Sequence, residues 1–246
     1  MCGGKTIMKI LAIESSAGVS SVALCEDTIC KYLTLDDSGN NHSKTLLPTV
    51  MDALAKQGLT ISDIDLVAVA AGPGSYTGVR IGVATVKGLL SGSGKPCMAI
   101  SSLEGLARSV DFFDGVICPV IDARRDRVYT ALFETKGGTF RRLTEDGVLT
   151  FAELDKLLKK RGRNVYLTGN GYPKAKEKLT YEKIKDTPPQ LRLENAYGVA
   201  KCAYLAFTED RSRALTEQQL SPVYALKTQA EREREERLLK EGKYSF

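Results

Sequence analysis

The chain has 246 residues, of which 43% are hydrophobic and 26% charged, with a net charge of +5. That is ordinary globular composition, with length enough for one large domain or two small ones. No window approaches the roughly 18 apolar residues of a membrane span, and Met1 to Met8 lacks the apolar core of a secretory signal, so a cytoplasmic protein is expected.

In chain order, Met8 to Glu14 is an apolar run that predicts a buried strand, and residues 1–7 read as an extension ahead of it. Small residues from Ser15 to Gly18 make a turn, and Ser20–Cys25 and Ile29–Leu35 predict two more strands. From Ser43 onward Leu46, Leu47, Val50, Met51 and Leu54 recur at helical spacing, and Gly58 ends that helix. Leu66–Ala71 is another strand; a glycine-rich turn from Gly72 to Gly78 leads into a helix through Leu90. Cys97–Ile100 is a strand, and Ser101 or Ser102 caps a further helix.

The second half restarts at Val116 with strand, turn and strand. Helices are predicted over Phe151–Leu158 and Ala196–Phe207, with a short strand at Val165–Leu167 ahead of Gly169-Asn170-Gly171. Pro188-Pro189 marks a linker. One repeat is visible: Ile13-Glu14 to Ala23-Leu24 and Ile121-Asp122 to Ala131-Leu132 are windows of equal length, each reading strand, acid, polar turn, strand. Both halves follow that hairpin with helices and another strand, as a duplicated α/β domain would. The expected division is residues 8–110 and 111–225, with a charged tail at 226–246.

Six cysteines (Cys2, Cys25, Cys30, Cys97, Cys118 and Cys202) form no C-x-x-C pair and read as small buried thiols. One histidine, His42, and no paired cysteines supply too few ligands for a metal site. Ten Lys or Arg between Lys156 and Lys185 make a basic stretch, read first as a solvated face and second as a phosphate contact.

The run AGPGSYTGVRIG from Ala71 to Gly82 is the sharpest motif. Glycines between a strand and a helix let the backbone approach a ligand or another element closely, and the helix start offers free N–H groups to an anion. The run is neither a Walker A loop nor a dinucleotide G-x-G-x-x-G. Gly78 and Gly82 share one helical face at a cost of about 1 kcal/mol each relative to alanine. That cost argues for a tightly packed face, inside the domain or at a partner.

The stretch from Ala71 to Leu90 resembles the signature of the TsaB/TsaD family, also called YeaZ/Gcp. So do the opening MKILAIESSAGVSSVAL, NHSKTLLP at Asn41–Pro48, IDARRDRVYTALF at Ile121–Phe133, LTGNGY at Leu167–Tyr172 and the late Pro222-Val223-Tyr224. The resemblance implies an actin/Hsp70/sugar-kinase-like α/β fold of two related subdomains, each a mixed sheet flanked by helices. The catalytic TsaD branch carries a His-Met-Glu-Gly-His segment, where this chain reads Ser102-Leu103-Glu104-Gly105-Leu106. The resemblance therefore implies a non-catalytic subunit with no metal of its own. It would act with a TsaD-type catalytic subunit and a TsaE-type ATPase in forming threonylcarbamoyladenosine at position 37 of tRNA, meeting tRNA through the complex. No cofactor is expected for the chain alone, with ATP or ADP possible in the complex. Ser15, Gly169 and Gly171 fall where the superfamily contacts nucleotide, but the Arg124-Arg125 turn is too bulky for a phosphate tail. Leu46, Leu47, Val50 and Leu54, with Gly78, Val79, Gly82 and Val83, are the expected partner surface, shared between a homodimer and a TsaD-type partner. The alternative is a small ATPase or kinase of the same fold.

Overall fold

The computed structural model describes residues 7–39 and 42–225. The charged tail, Cys2 and all but the last residue of the N-terminal extension lie outside the described residues.

The first lobe begins with β1 (Lys9–Glu14), β2 (Ser20–Glu26) and β3 (Ile29–Asp36), followed by α1 (His42–Lys56), β4 (Leu66–Gly72), α2 (Tyr76–Leu90), β5 (Cys97–Ser101) and α3 (Ser102–Arg108). Its five strands lie in the order β3-β2-β1-β4-β5, with β1 antiparallel to β2 and parallel to β4. The second lobe has β6 (Gly115–Asp122), β7 (Arg127–Thr130), β8 (Phe133–Lys136), β9 (Thr139–Arg142), β10 (Gly147–Thr150), α4 (Phe151–Arg161), β11 (Val165–Thr168), α5 (Tyr172–Lys178), β12 (Ile184–Lys185) and α6 (Ala196–Glu209). Its order is β10-β7-β6-β11-β12, the same path with the β8–β9 hairpin added. The two Ile-acid windows begin at equivalent places, the ends of β1 and β6. The duplicated α/β architecture implied by the resemblance, two related lobes each with a mixed sheet flanked by helices, is the one found.

Alternation sorts each strand onto two faces. Leu11 and Ile13 of β1, with Val67 and Val69 of β4, meet Leu46, Val50 and Leu54 of α1 and Val79, Val83 and Val86 of α2. Ile10, Ala12, Ala68 and Ala70 on the other face meet Ala196, Val199, Ala200 and Ala203 of α6. The helix starts follow their caps: Ser75 accepts from Gly78 N, Ser101 from Glu104 N and Asn195 from Gly198 N, while Thr150 and Glu153 form a capping box.

The expected boundary at 110/111 needs correction. α6 covers the first sheet although it follows the second, and Leu215 then exchanges backbone hydrogen bonds with Cys97 at 2.8 and 2.9 Å. In exchange, Leu103, Leu106 and Ala107 of α3 pack on Ile117, Ile121 and Phe133 of the second lobe. An apolar stripe dictates that a helix be covered; it does not say by which sheet. α3 and α6 also pack on each other, and the contact is close because it is built on glycines: a Cβ on Gly198 would overlap the Gly105 carbonyl oxygen.

Candidate functional site

The glycine-rich loop closes on the chain itself. A Cβ on Gly74 would overlap the Ser16 carbonyl oxygen, and one on Gly78 the Ser15 carbonyl oxygen. A Cβ on Gly82 would stand 2.6 Å from Ser15 Oγ and 3.2 Å from Val69 Cγ2. The three glycines therefore make room for the turn between β1 and β2. Ser75 N donates to Ser16 O at 2.6 Å, and Ser15 Oγ donates to Gly78 O at 2.9 Å. Ser15 is fully buried, and its hydroxyl is spent on that bond. Glu14, 1% exposed, accepts from Ser16 N at 2.5 Å. Burial pushes its carboxyl up to about 7, with Ser16 opposing the rise and the Glu194 charge adding to it.

Gly169 and Gly171 are likewise used by the fold. A Cβ on either would crowd the Val120 carbonyl oxygen of β6, and Gly171 N donates to that oxygen at 2.9 Å. Between them Asn170 accepts from Asp122 N at 2.9 Å and donates its own N–H to Glu194 at 3.0 Å. Glu194 is fully buried, and burial pushes its carboxyl up. Nothing in the sequence around it distinguished this acid. In the second hairpin Arg124, Arg125 and Asp126 all hold left-handed φ, at 60°, 48° and 63°, and all three are exposed. Asp122 accepts from Arg124 N at 2.8 Å and pairs with Lys174 at 2.6 Å. Burial would raise its carboxyl, but Lys174 and the Arg124 N–H outweigh it and hold it low. Within the basic stretch, Lys159, Lys174, Lys176 and Lys178 are ion-paired to Asp155, Asp122, Asp186 and Asp126.

The expected partner surface also needs correction. Leu46, Val50, Leu54, Val79 and Val83 are at most 4% exposed, and Gly78 and Gly82 are buried. Turning one such leucine outward would cost about 2 kcal/mol of burial. Of the eight, only Leu47 stands at the surface, 48% exposed, with Met51 of the same helix at 54%. The outer start of α2 adds a cluster that sequence reasoning missed. The Tyr76 and Tyr224 rings stack at 5.0 Å, the Arg80 guanidinium lies 3.9 Å from the Tyr76 centroid, and Arg80 Nε donates to Tyr224 Oη at 2.7 Å. The segment bearing Tyr224 reaches this place because Val223 N donates to Ala71 O at 2.7 Å and Gly72 leaves room for the Val223 carbonyl. The Pro222-Val223-Tyr224 motif was the available signal.

Residues 36–189 match the family described as TsaD: tRNA N6-adenosine threonylcarbamoyltransferase. The chain is 41% identical over 165 residues to the tRNA threonylcarbamoyladenosine biosynthesis protein TsaB of Bacillus subtilis, covering 66% of this chain and 71% of that protein. The chain belongs to the TsaB/YeaZ family. The Escherichia coli TsaB is 36% identical over 130 residues, 52% of this chain and 55% of that one. The solved structure of YeaZ from Pseudomonas aeruginosa superposes with a TM-score of 0.73 at 25% identity, over 89% of this chain and all of the other. In the Ser102-Leu103-Glu104-Gly105-Leu106 segment, Ser102 is fully buried and Leu106 packs in the core beneath Gly169. Glu104 of the same helix pairs with Arg142 at 2.8 Å.

Proposed function

We propose that the chain is a non-catalytic subunit for forming threonylcarbamoyladenosine at position 37 of tRNAs that read codons beginning with adenine. It binds and activates a TsaD-type catalytic subunit, alongside a TsaE-type ATPase, and meets tRNA through that complex. The biosynthetic role named for the Bacillus subtilis relative supports the pathway. The observation that carries the subunit role is the division of α1 and α2 into two faces. Their inner faces are spent on the sheet, while Leu47 and Met51 of α1 and Tyr76 of α2, with Tyr224 of the later segment stacked on it, stay exposed outside. Exposed apolar side chains gathered on packed helices are the usual mark of a protein contact. A closed first hairpin and an Arg-bearing second one support a chain that needs no nucleotide of its own, any ATP or ADP belonging to the complex. The same outer face would serve a homodimer when the chain is alone. No helix among the described residues is long and apolar enough to cross a membrane, and the proposed role is a cytoplasmic one.

The test is reconstitution with a TsaD-type protein, a TsaE-type ATPase, the threonylcarbamoyl-adenylate donor and tRNA. Product is expected only when this chain and the catalytic subunit are both present. Leu47→Asp with Met51→Asp should weaken capture of the catalytic subunit by at least about tenfold, since a handful of residues dominates an interface, while the melting temperature holds. Undiminished capture moves the interface elsewhere, and ATP turnover by the isolated chain would favour the ATPase alternative.

A further inference from the structure

The cysteines do not all behave as the sequence suggests. Cys25, Cys97, Cys118 and Cys202 are buried, but Cys30 is exposed. Cys25 on β2 and Cys30 on β3 are direct cross-strand partners, next to the pair that closes the hairpin, Glu26 and Ile29. Residues directly opposite in an antiparallel ladder have Cα atoms about 4.5–5.5 Å apart, inside the 4.4–6.8 Å span of disulfides. Partners in a ladder also project on the same face, so both thiols rise from one side of the ribbon. The ladder shifts register between Leu24 and Cys25, and β3 is the edge strand, so the pair sits where the sheet is least constrained. Cys25 faces the layer under α6, only 2% exposed.

We propose that Cys25 and Cys30 form an oxidisable dithiol, a site at which hydrogen peroxide converts two thiols into a cross-strand disulfide. Cys30 is the attacking sulfur because solvent reaches it. The neighbouring Cys25 thiol, helped by the Tyr32 backbone and opposed by burial, holds the Cys30 thiol down to about 7, while the same interaction, with burial, pushes Cys25 up. In the reduced protein Cys30 Sγ donates to Tyr32 O at 3.4 Å. An accessible, low-pKa thiolate beside a resolving thiol is the arrangement of redox-reactive cysteines. The Cys30 thiolate attacks one peroxide oxygen, the O–O bond breaks, and the departing hydroxide takes a proton to leave as water. The Cys25 sulfur then attacks the sulfenic sulfur, the S–O bond breaks, and a second water leaves with the Cys25 proton. One peroxide is reduced to two waters and two thiols are oxidised to one disulfide. A dithiol reductant reverses the change.

The chain offers a clean readout, because trypsin cuts after Lys9 and Lys31 and leaves both cysteines in one peptide with no other cysteine. The full chain, treated with hydrogen peroxide at neutral pH, alkylated and digested without reductant, should give that peptide unalkylated and about 2 Da lighter, two hydrogens lost. Dithiothreitol should restore two alkylatable thiols. Cys30→Ser should slow peroxide consumption by about tenfold or more. Cys25→Ala should stop the reaction at a sulfenic acid on Cys30 that dimedone traps. The alkylation rate of Cys30 in the native protein should rise as pH passes through about 7. A peptide that keeps both thiols under excess peroxide, or oxidation stopping at a sulfenic acid with Cys25 intact, overturns the proposal, and so does a disulfide that joins two chains. The wild-type peptide mass decides even where a variant fails to fold.

Discussion

The two hairpin turns stand at equivalent points of the duplicated lobes, yet they have become opposites. Glu14 ends β1 in a turn sealed by Gly74, Gly78 and Gly82, and its carboxyl is pushed up to about 7. Asp122 ends β6 in a turn whose next residues are exposed, and its carboxyl is held low by Lys174 and the Arg124 N–H despite partial burial. The same strand order thus yields an acid whose carboxyl is raised in one lobe and one whose carboxyl is held low in the other. What differs is how the neighbouring helix meets the turn: the glycines of α2 lie directly on the first turn, whereas the second is met by the Asn170 amide ahead of α5 and by the Lys174 side chain.

Three substitutions break or sharpen that contrast. The largest effect should come from Gly78→Val, which forces a branched side chain into the Ser15 backbone and should cost about 3 kcal/mol or more. Urea midpoints measure it, and Gly88→Ala on the same helix is the control. A Cβ at Gly88 meets nothing within 4 Å, so that change should add about 1 kcal/mol of stability. Equal losses at the two positions would show that Gly78 is not closing the turn.

Glu14→Gln comes next. A carboxyl raised in the folded state binds its proton more tightly there than in the unfolded chain. Stability should therefore fall as pH rises from about 4.5 to about 7, by up to about 3 kcal/mol. The amide keeps an oxygen for Ser16 N and cannot ionise. The variant should match the parent at pH 4, exceed it at pH 8 and lose that part of the slope. An unchanged pH profile would mean that Glu14 ionises freely.

Asp122→Asn should do least. A depressed carboxyl stabilises the fold above its unfolded pKa and loses that contribution as pH falls through the folded one, the reverse of Glu14. The pair with Lys174 is half-exposed, so thermal melts at pH 7 should show a loss under about 1 kcal/mol. The Asn side chain retains an oxygen for Arg124 N. A loss as large as that of Gly78→Val would show that the second turn is as tightly built as the first.

Elements legible in the amino-acid order were those with strong local signals. The first three strands, both long helices of the first lobe, Ser101 as a cap and the equal hairpin windows all follow from alternation, helical spacing and capping chemistry. The β8–β9 hairpin, α5 and β12 did not, because short half-exposed segments such as Thr139–Arg142 carry little apolar pattern. The family motifs carried the relationship.

Spatial partners were settled only by folding. Gly78 and Gly82 announce that something approaches α2 closely, but a missing Cβ is silent about what fills the space; the structure puts Ser15 there and not a partner helix. Leu46, Val50 and Leu54 announce an apolar stripe and Leu47 and Met51 widen it, yet only docking on β1, β2 and β4 separates core from surface. α6 shows its amphipathic face plainly, and nothing in 196–209 says that the face will cross back to the first sheet. Local chemistry acts over a few residues along the chain, whereas burial is shared among segments far apart in sequence, and that shared burial chose which glycine closes a turn and which leucine meets solvent.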